Sequence, residues 1–247
     1  MSVETILYLV LGAAAGGFIN GLSGSGTALF ALGFYLVVLD PLRAVAIVAL
    51  MSVLAGLQGL WIVRKDIIAH PKRLMRFLIP GLLGVPLGQT LLSMIDASAL
   101  RIGIASMLIL YGGYFGFRSA LPAFSRRTPV LDVGIGLVGG ILGGAASVSG
   151  AVLVIWLSMR PWTKSETRAV LQPFNVLILS TTVTMLFFRG AYDQQALTAL
   201  LITVPTGLVA AQVGIAVFRA LSDTAFRRLL ILLTLLVGVG VLLSELT

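Results

Sequence analysis

Residues 16–26 read GGFINGLSGSG, a glycine- and serine-rich interruption of an apolar stretch, and residues 139–150 read GGILGGAASVSG. A second motif follows each interruption: Arg43-Ala44-Val45 follows the first, and Arg168-Ala169-Val170 follows the second. The chain therefore contains two copies of one unit. In an apolar protein, duplicated breaks of this kind indicate a transporter whose substrate site lies where the copies meet.

The composition is that of a membrane protein. Of 247 residues, 58% are hydrophobic and 11% are charged, whereas soluble domains carry about a quarter charged residues. Long apolar runs recur throughout the chain and predict several spanning helices, without the short alternating segments of a barrel. With no cysteine and one histidine, we expect no metal and no cofactor. We attribute the net charge of +8 to loop cations rather than to nucleic-acid binding.

Ten apolar segments are predicted, and two of them are short. A hydrocarbon core of about 30 Å needs about 20 helical residues, so segments 27–39 and 150–159 cannot cross it alone. Each follows a glycine- and serine-rich break and can return as the second arm of a hairpin. The predicted segments are 5–22, 27–39, 43–63, 74–92, 99–117, 130–147, 150–159, 169–188, 196–217 and 226–244.

The distribution of lysine and arginine supports an even number of passes in each break region. If 5–39 and 130–159 are hairpins, 14 of the 17 cations lie on one side, and only Arg43, Arg101 and Arg189 lie on the other. If each region crosses once, the division is nine against eight. The positive-inside rule then places the 14 cations in the cytoplasm and both termini outside. Two full crossings give the same sidedness as a re-entrant hairpin, so that alternative stays open.

The predicted fold is all-α and polytopic, with two inverted repeats and 8–10 membrane segments. Residues 1–117 form repeat 1, with hairpin 5–39 and three transmembrane helices, and residues 130–247 form repeat 2, with hairpin 130–159 and three more. Residues 118–129 are the cytoplasmic linker. Because each repeat makes an odd number of full crossings, the second copy inserts upside down relative to the first.

The breaks supply the chemistry of an anion site. Non-helical backbone at membrane depth must be buried in protein or line a wet cavity. The helices that follow point their N–H groups at the break, glycine permits close approach, and neutral amides and hydroxyls donate without the cost of a buried charge. Helix packing through small residues is the alternative explanation. The candidate substrate-binding residues are Asn20, Ser23, Gly24, Ser25, Gly26, Thr27, Ser147, Ser149, Gly150, Gln172 and Asn175.

Two arginines occupy equivalent positions just after the hairpins. We expect Arg43 and Arg168 to recruit anions at the outer and inner vestibules, or alternatively to anchor the chain at the interfaces. None of the nine acidic residues falls in the middle of a predicted span, which argues against the intramembrane carboxylate that cation and proton antiporters use.

The two Gly-rich halves resemble the TauE/SafE sulfite exporter family, also called the toluene sulfonate uptake permeases. Residues 16–33 with Arg43-Ala44, and residues 136–153 with Arg168-Ala169, carry the resemblance. It implies transport of sulfite, small organosulfonates or related anions across a bacterial inner membrane.

The sequence therefore predicts a secondary transporter of a small sulfur-containing anion, in contact with the lipid bilayer and compatible with a homo-oligomer. An anion channel and a non-transporting membrane scaffold or assembly subunit are the alternatives. An intramembrane enzyme is disfavoured because the chain offers no nucleophile with a base and no metal-ligand set.

The absence of native cysteines allows a direct test of sidedness. Single cysteines replacing Lys72 or Arg219 should react with an impermeant thiol reagent only from the cytoplasm, because both positions belong to the cation-rich side. A cysteine replacing Arg101 should react from the opposite side. Labelling of Lys72→Cys and Arg219→Cys from different sides would contradict the topology.

Overall fold

The computed structural model describes residues 1–91, 102, 105–106, 109–110, 113, 124 and 128–246. Across these ranges the chain is helical and contains no strand. The helices are α1 (Val3–Ser23), α2 (Thr27–Val38), α3 (Pro41–Ala69), α4 (Pro71–Leu91), α5 (Pro129–Ala146), α6 (Ala151–Ser158), α7 (Lys164–Phe188), α8 (Gln194–Ala220) and α9 (Asp223–Leu246). Predicted segment 99–117 and most of the predicted linker 118–129 lie outside the described residues.

The prediction of an all-helical, multi-pass membrane protein is confirmed. Within the described ranges, six helices are long and apolar enough to cross a bilayer: α1, α3, α4, α5, α7 and α8. The two helices that follow the glycine- and serine-rich breaks are short. At 1.5 Å per residue, α2 extends about 18 Å and α6 about 12 Å, less than the hydrocarbon thickness of about 30 Å.

Helix starts are specified locally by N-cap residues. Asp40 and Asp193 accept hydrogen bonds from the amides of Arg43 (3.1 Å) and Ala196 (2.9 Å) at the starts of α3 and α8. A capping box joins Thr163 and Glu166 at the start of α7. These caps satisfy amides that have no partner within their own helix.

The helices around each break lie antiparallel. A β-carbon on Gly12 would lie 2.5 Å from Cε1 of Tyr35, and one on Gly16 would lie 3.1 Å from Cβ of Ala31. Residue numbers thus rise along α1 while they fall along α2. In the second half, Gly139 faces Leu153 in the same way. The chain therefore turns back at both breaks.

The first helix of each half crosses the other half through glycine. A β-carbon on Gly17 would lie 2.3 Å from the carbonyl oxygen of Gly207, so α1 and α8 touch backbone to backbone. A β-carbon on Gly140 would lie 1.9 Å from the carbonyl oxygen of Gly81, which joins α5 to α4 in the same manner. Such close crossings are typical of small-residue packing in membranes.

Helices α3 and α7, which carry the two arginine signatures, run antiparallel through the centre of the molecule. Gly56 of α3 faces Val176 of α7, and Gly59 faces Gln172, with a β-carbon on Gly59 lying 2.3 Å from the Gln172 Oε1. These two glycines bring the polar side chains of α7 up to the backbone of α3.

The glycine crossings should be sensitive to one methyl group. We expect Gly17→Ala and Gly140→Ala to lower the thermal unfolding midpoint in detergent, because overpacking of this kind costs about 1–3 kcal/mol. Gly33→Ala and Gly134→Ala are matched controls, since nothing lies within 4 Å of a β-carbon at either position. Equal midpoints for all four variants would contradict the packing.

Candidate functional site

The two hairpin tips meet inside the protein. A β-carbon on Gly150 would lie 2.4 Å from Oγ and 2.5 Å from Cβ of Ser25, so the second tip rests directly on the first. All the predicted binding residues are buried except Gly26, which is half-buried. The tips therefore have the protected location that irregular backbone in a membrane protein requires.

Tip one is built on two glycines in the left-handed region. Gly24 has φ +87° and its amide donates to the Asn20 carbonyl, which ends α1. Gly26 has φ +93° and precedes α2 without contributing a side-chain cap. Only glycine adopts this conformation at little cost. A side chain at position 24 would also collide with Gln172, whose Oε1 lies 2.8 Å from the β-carbon position.

Tip two reaches a similar turn with serine. Ser147 has φ +57°, and its amide donates to the Gly143 carbonyl (3.0 Å), while the Val148 amide donates to the Leu142 carbonyl (3.2 Å). The bond from Ser147 to Gly143 is the pattern of an αL C-cap. Gly150 then precedes α6 and, like Gly26, has no side chain that could cap the helix. The first amides of both helices after the breaks therefore lack a side-chain cap.

A chain of amides connects tip one to the second half. The Asn20 Nδ2 donates to Oγ1 of Thr27 (2.8 Å) and to the Ser52 carbonyl (3.2 Å). The Gln172 Nε2 donates to the Gly56 carbonyl (2.8 Å) and makes a longer contact with Oδ1 of Asn20 (3.5 Å). The structure thus brings Asn20, Thr27 and Gln172 together, although they come from three different helices.

Arg168 lies at the end of this chain and is fully buried. Its Nε donates to Oε1 of Gln172 (3.0 Å), its Nη1 donates to the Leu22 carbonyl (3.4 Å), and the guanidinium stacks 4.4 Å from the Phe218 ring centroid. Its Nη2 has no hydrogen-bond partner. Among the described residues, no carboxylate pairs with this guanidinium, so a positive charge is buried without a counterion.

Other unpaired polar groups lie on the same helices. Ser149 of tip two donates to Oδ1 of Asn175 (2.7 Å), which leaves the Asn175 Nδ2 buried without a partner. The Ser52 hydroxyl, next to the carbonyl that accepts from Asn20, is also unpaired. Buried donors without acceptors are rare and costly in proteins. Arg168, Asn175 and Ser52 therefore each carry a buried polar atom without a hydrogen-bond partner in the described part of the chain.

Two predicted hydroxyls are directed to the backbone instead. The Ser23 hydroxyl contacts the carbonyls of Ile19 (2.9 Å) and Ser25 (2.8 Å), and the Ser147 hydroxyl donates to the Val45 carbonyl (3.3 Å). In this structure both side chains hold the tips in shape and do not join the group around Arg168.

Arg43 has a different environment from Arg168 despite its matched position in the sequence. It lies at a helix end, partly exposed, and pairs with Asp40 and with Asp193, whose Oδ2 is 2.9 Å from its Nε. Hydrogen bonds from the Arg43 guanidinium, and then from the Ala196 amide, hold the pKa of Asp193 below its ordinary value. The Arg43–Asp193 pair connects the start of α3 with the start of α8.

The opposite end of the molecule has its own polar ties between the halves. Arg73 of α4 pairs with Glu166 of α7 at 2.5 Å, and the Ser165 hydroxyl bonds to the Asp66 carboxylate of α3. Within the described ranges, no three His, Cys, Asp or Glu side chains gather as metal ligands would.

Sequence reasoning missed the burial of Arg168 and the parts of the site without a distinctive motif. Ser52 and Phe218 carry no signature that separates them from ordinary helix residues. The spacing shows only that Arg168 shares a helix face with Gln172, because it lies four residues before it.

The comparison with protein families identifies the chain. The family model described as sulfite exporter TauE/SafE matches residues 8–241. The chain belongs to this family. No curated protein and no solved structure is significantly similar to it.

Membership gives the TauE/SafE chain a class of activity. The family is one of membrane transporters and implies the export of sulfite or related sulfur anions. This agrees with the six helices of the described ranges that are long and apolar enough to cross a membrane. The small substrate and the lipid surroundings that the sequence predicts follow from the same two findings.

The contact between the tips should be intolerant of bulk. We expect Gly150→Leu to reduce transport to background, because the new side chain would occupy the space of Ser25. Gly26→Leu should act similarly, since leucine at φ +93° is strained and Cγ2 of Ile19 lies 3.0 Å from the β-carbon position. Transport is measured in proteoliposomes after confirming expression. Gly134→Leu, in open space, is the control, and normal transport by Gly150→Leu and Gly26→Leu would refute the tip site.

Proposed function

We propose that this TauE/SafE protein transports sulfite, an organosulfonate or a related sulfur anion, and binds it between the hairpin tips beside Arg168. The observation that carries the proposal is the buried guanidinium with an open Nη2 and no carboxylate partner in the described part of the chain. An isolated buried charge is strongly unfavourable, and a bound anion would supply its counterion.

The surrounding groups suit an oxyanion better than a cation. The unpaired Nδ2 of Asn175 and Nη2 of Arg168 only donate, and the Ser52 hydroxyl can donate. The uncapped starts of α2 and α6 add backbone N–H groups and positive helix-dipole charge. Asn20, Gln172, Thr27 and Ser149 orient these groups through the hydrogen bonds described above.

We further propose that residues 1–117 and 130–247 are inverted repeats. Three contacts support this arrangement: α1 runs parallel to α8, α4 runs parallel to α5, and the equivalent helices α3 and α7 run antiparallel. A rotation axis in the membrane plane relates helices in this way, whereas an axis along the membrane normal would leave α3 and α7 parallel.

Transport then proceeds by alternating access. Arg43–Asp193 ties the halves at one end, and Arg73–Glu166 with Ser165–Asp66 ties them at the other. Since partly exposed ion pairs contribute about 0–1 kcal/mol each, either end can open without a large cost. In this mechanism, one set of ties breaks while the other holds, and the substrate leaves through the open end. A vestibule role for Arg43 remains a prediction within this scheme.

We place the protein in a bacterial inner membrane with both termini outside. The support is the charge distribution, which puts the Arg73–Glu166 end on the side with 14 of the 17 cations. Arg43 and Arg189 belong to the opposite, periplasmic end.

The decisive variant is Arg168→Gln. We expect sulfite and organosulfonate transport in proteoliposomes to fall by about 10- to 100-fold or more, since a hydrogen bond to a charged group is lost. The unfolding midpoint of the unliganded protein should not fall, because the change also removes an uncompensated buried charge.

Arg64→Gln serves as a charge-matched control, because Arg64 is exposed and stacks only on Trp61 at its helix end. Unchanged transport by Arg168→Gln would contradict the proposal. Parallel loss of transport and of thermal stability would instead assign Arg168 a structural role. Flux that rises linearly with substrate would favour a channel, and no flux of any tested anion by folded protein would favour a scaffold.

A further inference from the structure

We propose that the site selects its substrate by net charge, and accepts singly charged sulfonates and hydrogensulfite while rejecting dianions. This rests on the proposed function, because it concerns the same Arg168 pocket. The observation that carries it is the charge balance around Arg168, whose guanidinium is buried and has no carboxylate partner in the described part of the chain.

Among the described residues, the groups that touch Arg168 are uncharged. From α1 it meets the Leu22 carbonyl, from α3 Gly59, from its own helix Gln172, and from α8 the Phe218 ring. None of these groups titrates.

Two further cations are near, but neither is buried in the pocket. Arg219 lies in the last turn of α8 and is exposed. Lys164 directs its Nζ to the carbonyls of Phe218 (3.0 Å) and Arg219 (3.3 Å) at the C-terminus of α8. Its charge is therefore engaged by the negative end of that helix.

The charge of the loaded pocket follows directly. A monoanion neutralises Arg168, whereas a dianion leaves one net negative charge buried in the protein. A zwitterion leaves one net positive charge, because its ammonium offsets the charge of its own sulfonate. Burying an unbalanced charge is strongly unfavourable. Neutral donors such as Asn175 Nδ2 reduce this penalty without removing it.

Sulfite itself is then a pH-dependent substrate, because it exchanges between hydrogensulfite and the sulfite dianion near neutral pH. As the pH rises, the hydrogensulfite fraction falls, and the apparent affinity for total sulfite falls with it. Methanesulfonate stays a monoanion over the same range, so its affinity should stay constant. In this proposal the pH dependence belongs to the ligand.

A series of two-carbon sulfonates tests the rule at nearly constant size. Taurine, isethionate and sulfoacetate carry net charges of zero, minus one and minus two at pH 7.5. We expect isethionate to bind the full-length purified protein at least about tenfold more tightly than either of the others, measured by calorimetry in detergent. For total sulfite, the dissociation constant should increase about tenfold per pH unit above the hydrogensulfite pKa, with methanesulfonate as the control at each pH.

Variants at Arg168 separate charge from shape. Arg168→Lys keeps the charge and should keep the isethionate preference, whereas Arg168→Gln should lose it, so that isethionate binds no better than taurine. If sulfoacetate binds wild-type protein as tightly as isethionate, or sulfite affinity does not change with pH, the charge rule is wrong while anion transport stands. If folded protein binds none of these anions, the proposed function fails as well.

Discussion

The structure depends on one constraint: backbone that leaves the helix inside a membrane protein must find partners within the protein. The chain breaks twice, and the two breaks cover each other, with Gly150 against Ser25. Helices α2 and α6 are too short to reach across a bilayer, and the breaks before them meet inside the protein. Mutual burial of the tips thus explains why the second break accompanies the first.

Glycine allows the helices around the breaks to pack closely. The crossings at Gly17–Gly207 and Gly140–Gly81 place helix backbones in direct contact, and Gly59 leaves room beside the guanidinium of Arg168. The same glycine-rich sequence therefore serves both packing and the candidate site, and the two explanations considered from sequence do not compete. Close packing places Asn20, Gln172 and Arg168 near one another and buries their polar groups away from solvent.

Much of this was predictable from sequence because it follows from length and spacing. The short helices, the breaks and the grouping of Asn20 with Gln172 could be inferred from apolar run lengths and repeated motifs. The burial of Arg168 could not, because charge counting treats every arginine as a loop or interface residue. A long side chain that starts one turn inside a helix can point inward instead, and only the packing of Gly59 and Phe218 shows that it does. The inward or outward direction of the Ser23 and Ser147 hydroxyls likewise depends on tertiary contacts.

Arg43 and Arg168 occupy matched positions in the sequence but have different environments in the structure. One arginine is tied to two carboxylates at a helix end, and the other is enclosed in the core. An anion held by Arg168 is consequently attached to one half of the molecule and lies off any axis relating the halves. In the proposed mechanism, this anion moves together with α7 when the halves rock. The two end states of the cycle would then not be interchangeable and need not bind the substrate equally well.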